Sequence, residues 1–288
     1  MDTRLRQACP LIVIGMHRSG TRLLADVLAG VGVFMGADRQ ADSESVTFMR
    51  INEAIFHQCG TFWSEPMPAH VVLAQPEHVE RIAALVSGTL ATELAHYVGD
   101  SGWRPGGSSG DTAPFGWKDP RNTFTLPVWR HIFPHLRTIH IVRHGVDVAA
   151  SLARRHRQAC VSAAGEAVPS PLAVFEDHAL GVLSSRRGWT LAEALAMWEQ
   201  YVEKARLESA ELGERALEIR FEELLAEPHH VVAAITAFCG IEPSESGLDE
   251  RLLGRINSSR AFAFRRTPEL AAFAEAVPEI LARYGYAP

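Results

Sequence analysis

The stretch that decides the fold is L-I-V-I-G-M-H-R-S-G-T-R-L-L, residues 11–24. The apolar run from Leu11 to Gly15 predicts a buried parallel strand. A tight turn follows as far as Gly20, and the apolar residues after Thr21 recur with helical spacing. A strand, a glycine-bounded turn and a helix bring several backbone N–H groups to a helix N-terminus. Such a terminus binds anions, because its N–H groups and the helix dipole both favour negative charge.

The residues within the turn narrow the choice of anion. The spacing of Gly15 and Gly20 fits the G-x-x-x-x-G-K-[ST] loop of nucleotide triphosphatases. The lysine of that loop is missing, because Thr21 follows Gly20 directly and the basic residue lies inside the turn at Arg18. The turn is therefore predicted to hold a phosphate or a sulfate. Its candidate ligand-binding residues are His17, Arg18, Ser19, Gly20, Thr21 and Arg22.

A second motif, I-H-I-V-R-H-G-V-D-V-A-A-S, spans residues 139–151. Ile139 to Val142 predict an apolar strand, Arg143 stands at its C-terminal end, and a helix begins near Val146. In open α/β sheets, ligands bind beyond the carboxyl ends of the strands. Arg143 is therefore a candidate for charge-assisted hydrogen bonds to an anionic ligand.

Together the two motifs resemble those of the sulfotransferases that use 3′-phosphoadenosine 5′-phosphosulfate (PAPS). The closest resemblance is to bacterial and Golgi-type members with an R-S-G-T loop. It implies that the first loop holds the 5′-phosphosulfate of PAPS, and that Arg143 and Ser151, eight residues apart, hold its 3′-phosphate. The co-substrate would be PAPS, the product would be 3′-phosphoadenosine 5′-phosphate (PAP), and no metal would be required.

Three weaker segments, at residues 115–134, 217–228 and 255–266, follow in the order that this family shows. The last resembles a tail that closes over the nucleotide, and it would contribute Ser259 and Arg260 to the donor site.

The resemblance also implies residues for the chemistry. Lys118, at the end of the predicted strand 115–117, would reach the bridging oxygen of the donor. Arg18 would share the charge that develops on the 5′-phosphosulfate. Asp119 and Arg121, on either side of Pro120, are expected to form a structural pair.

Glu44 is the candidate general base. Its spacing to Asn52 resembles a W-E-x(7)-N pattern of bacterial relatives, although Ser43 replaces the usual aromatic residue. Nearby carboxylates such as Asp42 are expected to raise its pKa and to favour base function near neutral pH. A solvated loop carboxylate is the competing interpretation of Glu44, and His17 is a rival base.

The alternation of strands and helices predicts an α/β fold of the P-loop NTPase-like, three-layer type, with a central parallel sheet and helices on both faces. We expect one domain over residues 1–288, with 158–190 as a lid or acceptor-binding insertion and 101–114 as a surface loop. Helices are predicted over 46–58, 79–97, 191–212 and 229–239. The third of these should turn Leu195, Trp198, Val202 and Leu207 inward.

Two groups of residues have more than one interpretation. The basic run 154–157 either complements a helix C-terminus or forms a rim that attracts an anionic ligand. Phe48, Trp63 and Trp117 either belong to the core or stack on the adenine or the acceptor.

Composition excludes several classes of protein. The 288 residues carry a net charge of −6, whereas a protein that binds nucleic acid is usually basic. No apolar run reaches the roughly 18–20 residues of a membrane helix. Four scattered cysteines and the lack of a signal peptide predict a reducing, cytoplasmic location.

The sequence therefore predicts a PAPS-dependent sulfotransferase that acts on a hydroxyl or amine of a small acceptor. The alternatives are a P-loop kinase for a small molecule and a nucleotide-binding module without catalysis.

Overall fold

The computed structural model describes residues 6–101, 114–163, 187–241, 254 and 256–288. Most of the segments predicted as a lid, 158–190, and as a surface loop, 101–114, lies outside these residues. Their roles, and the assignment of the whole chain to one domain, stay predictions.

The centre of the described structure is a four-stranded parallel sheet. Its strands are β1 (Leu11–Ile14), β2 (Gly116–Lys118), β3 (Arg137–Val142) and β4 (Ala216–Arg220). Their order is β2-β1-β3-β4. The chain passes from β1 to β2 on one side and then crosses to β3 on the other. This switch of direction opens a crevice beyond the carboxyl ends of β1 and β3, where α/β proteins bind ligands.

Helices surround the sheet and confirm the four sequence-predicted ones. They are α1 (Thr21–Gly30), α2 (Val46–Gln58), α3 (Met67–Val72), α4 (Pro76–Val98), α5 (Asn122–Ile132), α6 (Gly145–Ala163), α7 (Leu191–Leu212), α8 (Phe221–Ala226), α9 (Pro228–Cys239), α10 (Pro268–Glu275) and α11 (Pro278–Arg283). Short 3₁₀ turns lie at Gly213–Arg215, Ser258–Arg260 and Ala263–Arg266.

Two apolar clusters, one on each face of the sheet, form the core. Because successive strand residues point to opposite faces, Ile12 and Ile14 join the larger cluster, whereas Leu11 and Val13 join the smaller. The larger cluster holds the buried tryptophans Trp117, Trp129 and Trp198. Helices therefore cover both faces of a parallel sheet, which confirms the predicted three-layer α/β architecture.

One prediction about a helix face is wrong, and one of the two interpretations of the basic run is excluded. Leu195, Trp198 and Val202 of α7 are buried as expected, but the side of the helix that carries Leu207 faces solvent and leaves that residue 48% exposed. The basic run 154–157 is not at a helix C-terminus, because α6 continues to Ala163.

The structure also decides between the interpretations of two aromatic residues. Phe48 and Trp117 stack with their ring centroids 3.7 Å apart, and both are fully buried. They belong to the core and cannot stack on a ligand.

Within the described residues, no helix is long and apolar enough to cross a membrane.

Candidate active site

The loop after β1 has the tight geometry that its two glycines predict. Gly15 and Gly20 have φ values of +133° and +100°, which residues with side chains rarely adopt. A Cβ on Gly15 would lie 2.6 Å from the carbonyl oxygen of Ile141, and one on Gly20 would collide with the ring of Phe221. The loop therefore packs closely against β3 and α8, and it delivers the chain to the N-terminus of α1.

Several buried polar atoms around this loop have no hydrogen-bond partner within the described residues. His17 Nε2, Ser19 Oγ and Arg143 Nε are buried and make no hydrogen bond within the described part of the chain. Buried polar groups are normally paired, because an unpaired one forfeits its hydration without compensation. Three such atoms, on the loop and on Arg143, fit polar ligands such as the sulfate and phosphate groups of PAPS.

The structure joins the two sequence motifs at Arg18. The Arg18 side chain donates a hydrogen bond from Nε to Ser151 Oγ at 2.9 Å. Its carbonyl oxygen accepts one from Arg143 Nη1 at 3.4 Å. Arg18 therefore lies between the predicted 5′-phosphosulfate loop and the predicted 3′-phosphate residues, instead of belonging to the loop alone. Its backbone takes a left-handed conformation, with φ +72°.

A cavity of about 380 Å³, here called the loop pocket, lies at the carboxyl end of β1. It brings together most of the loop residues and both predicted reactive groups. Its lining includes His17, Arg18, Gly20, Arg22, Asp26, Asp42, Glu44, Lys118, Arg155, Phe221 and Arg260. Ser19 and Thr21 are buried in the loop beside it, at 1% and 5% exposure.

A second cavity of about 360 Å³, here called the arginine pocket, lies beside the first. Its lining includes the four residues that the sequence analysis assigns to the 3′-phosphate and to the C-terminal tail segment, namely Arg143, Ser151, Ser259 and Arg260. Its polar lining is Arg18, Arg143, Asp147, Ser151, Arg154, Ser259, Arg260, Arg266 and Thr267. Arg18 and Arg260 line both pockets.

Glu44 and Lys118 form a buried ion pair in the loop pocket. Lys118 Nζ donates to Glu44 Oε1 at 2.8 Å, and Arg121 Nη2 lies 3.6 Å from Glu44 Oε2. Glu44 is 7% exposed, so the alternative of a solvated loop carboxylate is wrong. Burial, with a further contribution from the charge of Asp119, raises the pKa of Glu44 to about 7, whereas Lys118 opposes the rise. The expected rise is present, but burial is a larger cause than the neighbouring carboxylates.

Ser43 helps to explain how Glu44 is held without the expected aromatic residue. Ser43 has a left-handed backbone, φ +66°, and its hydroxyl donates to Asp26 Oδ1 on α1 at 2.7 Å. Asp42 Oδ1 accepts a hydrogen bond from the backbone N–H of Glu44 at 3.2 Å. The Ser43–Asp26 hydrogen bond thereby attaches the turn before α2 to α1.

Asp119 and Arg121 form the expected structural pair. Arg121 Nε contacts both carboxylate oxygens of Asp119, at 2.9 and 3.0 Å, and Nη1 bonds Glu53 at 2.6 Å. The fully buried Asn52 donates to Asp119 Oδ2 at 2.9 Å. Glu44 and Asn52 therefore bind neighbouring residues at the end of β2: Glu44 binds Lys118, and Asn52 binds Asp119.

His17 packs against Trp63, with ring centroids 4.5 Å apart. Burial and the surrounding cations hold the pKa of His17 well below its usual range, so its ring is neutral at pH 7. A histidine with a low pKa is a weak base, which favours Glu44 over His17.

Three further residues of the site lie in segments that the sequence analysis singled out without giving these residues individual roles. Phe221 lies under the guanidinium of Arg143, 4.7 Å from Cζ to the ring centroid. Arg154 and Arg266 line the arginine pocket. The i+3 spacing of Ser151 and Arg154 on one helix was the available signal for Arg154.

Comparisons with known proteins identify the family of this chain. The model of the sulfotransferase family matches residues 10–245, which is most of the chain. The chain therefore belongs to the sulfotransferase family, which transfers sulfuryl groups from PAPS. This result confirms the sequence-based prediction, and it does not favour the small-molecule kinase. No curated protein matches the chain.

One solved structure supports the fold at low sequence identity, and two further sulfotransferase structures are similar with slightly lower scores. The sulfotransferase domain of the Synechococcus PCC 7002 olefin synthase is 16% identical, with a TM-score of 0.50 over 98% of this chain and 97% of that one. A sulfotransferase domain from the curacin biosynthetic pathway is 14% identical, with a TM-score of 0.49 over 94% and 98%. A sulfotransferase from Alicyclobacillus acidocaldarius is 15% identical, with a TM-score of 0.49 over 96% and 95%.

Proposed function

We propose that this sulfotransferase acts on a hydroxyl or amine of a small acceptor, with Glu44 as the general base and Lys118 on the leaving-group side. The observation that carries the proposal is the buried Glu44–Lys118 pair, which faces the phosphate loop across one pocket. PAPS, when bound, supplies an activated sulfuryl group. The residues of this chain bind it, orient it and move the proton of the acceptor.

The proposed donor site uses both pockets. The loop residues 17–22 and the N–H groups of α1 would hold the 5′-phosphosulfate, because a helix N-terminus stabilises an anion without a metal ion. Arg143, Ser151, Ser259 and Arg260 would hold the 3′-phosphate. The unpaired Ser19 Oγ and Arg143 Nε would gain partners from such a ligand.

Glu44 has the properties that a general base needs at neutral pH. A pKa of about 7 leaves a large fraction of the carboxylate ionised at pH 7, and still lets it take a proton readily. Lys118 would neutralise the charge on the leaving oxygen. Arg18, which lines both pockets, would share the charge that develops on the 5′-phosphosulfate. If Lys118 contacts the donor instead, Glu44 keeps, among its described ion pairs, only the longer one with Arg121, and Oε1 becomes available to the proton of the acceptor.

The acceptor would be a natural product, a carbohydrate or a lipid headgroup. Asp26, Asp42 and Glu44 line the loop pocket together with its cations, and this mixed charge disfavours a long polyanionic acceptor. A bacterial source, a cytoplasmic location and independence from metal ions stay predictions.

Calorimetric titration tests the proposed donor site. PAP should bind with micromolar affinity whether or not magnesium is present, and should bind more tightly than ATP. Arg143→Ala should weaken that binding about 10–100-fold. A preference for Mg-ATP would overturn the proposal. PAPS binding without sulfuryl transfer to any of a panel of small alcohols, sugars and amines would instead support the nucleotide-binding module.

A further inference from the structure

Asp147 is a buried carboxylate at the edge of the arginine pocket. It lies in the first turn of α6, four residues after Arg143, and is 4% exposed. A carboxylate in this place would repel a phosphate, and the predicted donor motifs assign it no role. Its contacts show that it faces two parts of the protein at once.

Both oxygens of Asp147 are engaged. Oδ2 lies 3.2 Å from Arg143 Nη2 and accepts the backbone N–H of Ala263 at 3.1 Å. Oδ1 accepts the backbone N–H of Phe264 at 2.8 Å. One carboxylate therefore binds both the arginine at the end of β3 and the segment 256–267 near the C-terminus.

Little regular structure holds the segment 256–267, although Phe264 packs in the larger apolar cluster. It carries Ser259, Arg260 and Arg266 into the arginine pocket, and its regular structure is two 3₁₀ turns. Ser259 and Arg260 are exposed. Isolated 3₁₀ turns have few internal hydrogen bonds and do not hold a position by themselves. The carbonyl of Arg260 adds a second connection, because it accepts from Arg143 Nη2 at 2.9 Å.

The same carboxylate counteracts the crowding of arginines. Burial and the nearby Arg260 lower the pKa of Arg143, and Asp147 raises it again. The pairing occupies Nη2 and leaves Nε of Arg143 without a partner in the described structure, so Arg143 keeps a donor for a ligand.

We propose that Asp147 is a positioning residue for the 3′-phosphate: by fixing Arg143 and the segment 256–267 together, it makes the pocket select nucleotides that carry a 3′-phosphate. The inference rests on the proposed function of the arginine pocket and adds a residue that acts through Arg143 and the tail without touching the donor.

The test is the ratio of two affinities, for PAP and for 5′-AMP, which differ by the 3′-phosphate. Asp147→Asn has almost the same shape but loses the charge, and it should reduce the preference for PAP about tenfold or more, as expected for a misplaced charge-assisted contact. Affinity for 5′-AMP should change by less than about threefold. Asp147→Glu keeps the charge but is longer, and should give an intermediate ratio. Glu208→Gln, which removes a buried carboxylate of another helix that pairs with a cation four residues away and lies outside the described lining of both pockets, is the matched control.

Each outcome has a distinct meaning. An unchanged ratio in Asp147→Asn overturns the inference, and so does an equal loss of both affinities, which would indicate a general structural role. If neither variant gives a cooperative thermal transition, Asp147 serves folding and the inference is wrong. If the unaltered protein itself does not prefer PAP to 5′-AMP, the proposed function fails first.

Discussion

The loop pocket and the arginine pocket are neighbours of similar volume, about 380 and 360 Å³, that share Arg18 and Arg260 but differ in charge. In the described lining of the loop pocket, Asp26, Asp42 and Glu44 accompany five cationic side chains. In that of the arginine pocket, Asp147 accompanies five arginines. Carboxylates therefore offset most of the positive charge in the loop pocket, whereas the arginine pocket keeps a larger excess of positive charge.

This difference separates chemistry from binding. In the proposed mechanism, a carboxylate and a lysine buried together can move a proton and stabilise a developing negative charge, because the lysine limits the rise that burial causes in the carboxylate pKa. An excess of guanidinium groups has no such use, but it holds an anion strongly. We therefore expect substitutions in the loop pocket to reduce turnover, and substitutions in the arginine pocket to reduce donor affinity.

The largest effect is expected for Glu44→Gln. Loss of a general base should lower kcat about 10³-fold. In the unaltered enzyme, kcat/KM should rise with pH through about 7, because the base acts only after the carboxyl group has lost its proton. This rise should be absent in Glu44→Gln. A pH–rate profile that keeps the same rise in the variant would assign it to another group. Glu208→Gln is the control, because it removes a buried, ion-paired carboxylate that lies outside the described lining of both pockets.

Lys118→Ala should come next, with a fall in kcat of about 10²–10³-fold, as for the loss of one donor to a developing anion. The same variant should raise the pKa of Glu44 further, because its buried carboxylate loses a cationic partner. The residual activity should therefore rise with pH at a higher midpoint than in the unaltered enzyme. Initial rates of sulfuryl transfer across the pH range measure both effects. Turnover close to normal would contradict the leaving-group role.

Arg143→Ala should weaken PAP about 10–100-fold, as expected for one or two charge-assisted hydrogen bonds. Binding of 5′-AMP should change much less, and kcat at saturating donor should stay within a few fold of normal. Calorimetry with both nucleotides and rates at several donor concentrations give these values. A fall in kcat with unchanged donor affinity would reverse the proposed difference between the pockets.

The smallest expected effect is a difference in PAP affinity between two variants of the basic run on α6. Arg154 lines the arginine pocket and Arg155 lines the loop pocket, whereas Arg157 lines neither. Arg154→Ala should weaken PAP about 3–10-fold, as for an exposed charge at the edge of an anion site. Arg157→Ala, on the same helix and equally exposed, should leave it unchanged. Equal effects would indicate a general attraction of anions by the whole run.

Much of the fold could be predicted because its signals are local. The apolar runs and their spacing gave the strands of the sheet, and α2 and α7 begin and end where the sequence predicts. The glycine positions predicted the tight turn after β1, and its positive φ angles explain why glycine is required there. The error at Leu207 arose because helical spacing identifies an apolar stripe, but neighbouring elements decide how wide a stripe is covered.

The candidate site was only partly predictable. The sequence by itself determined the residue types, the two anion motifs and the family, because these depend on neighbours along the chain. The tertiary structure decided that Lys118 binds Glu44 across 74 positions, that Arg18 reaches Ser151 across 133, and that Asp147 holds a segment 116 residues away. Such pairs depend on the order of the strands and on how the helices pack. Burial, which sets the pKa of Glu44, arises only when distant parts of the chain enclose it.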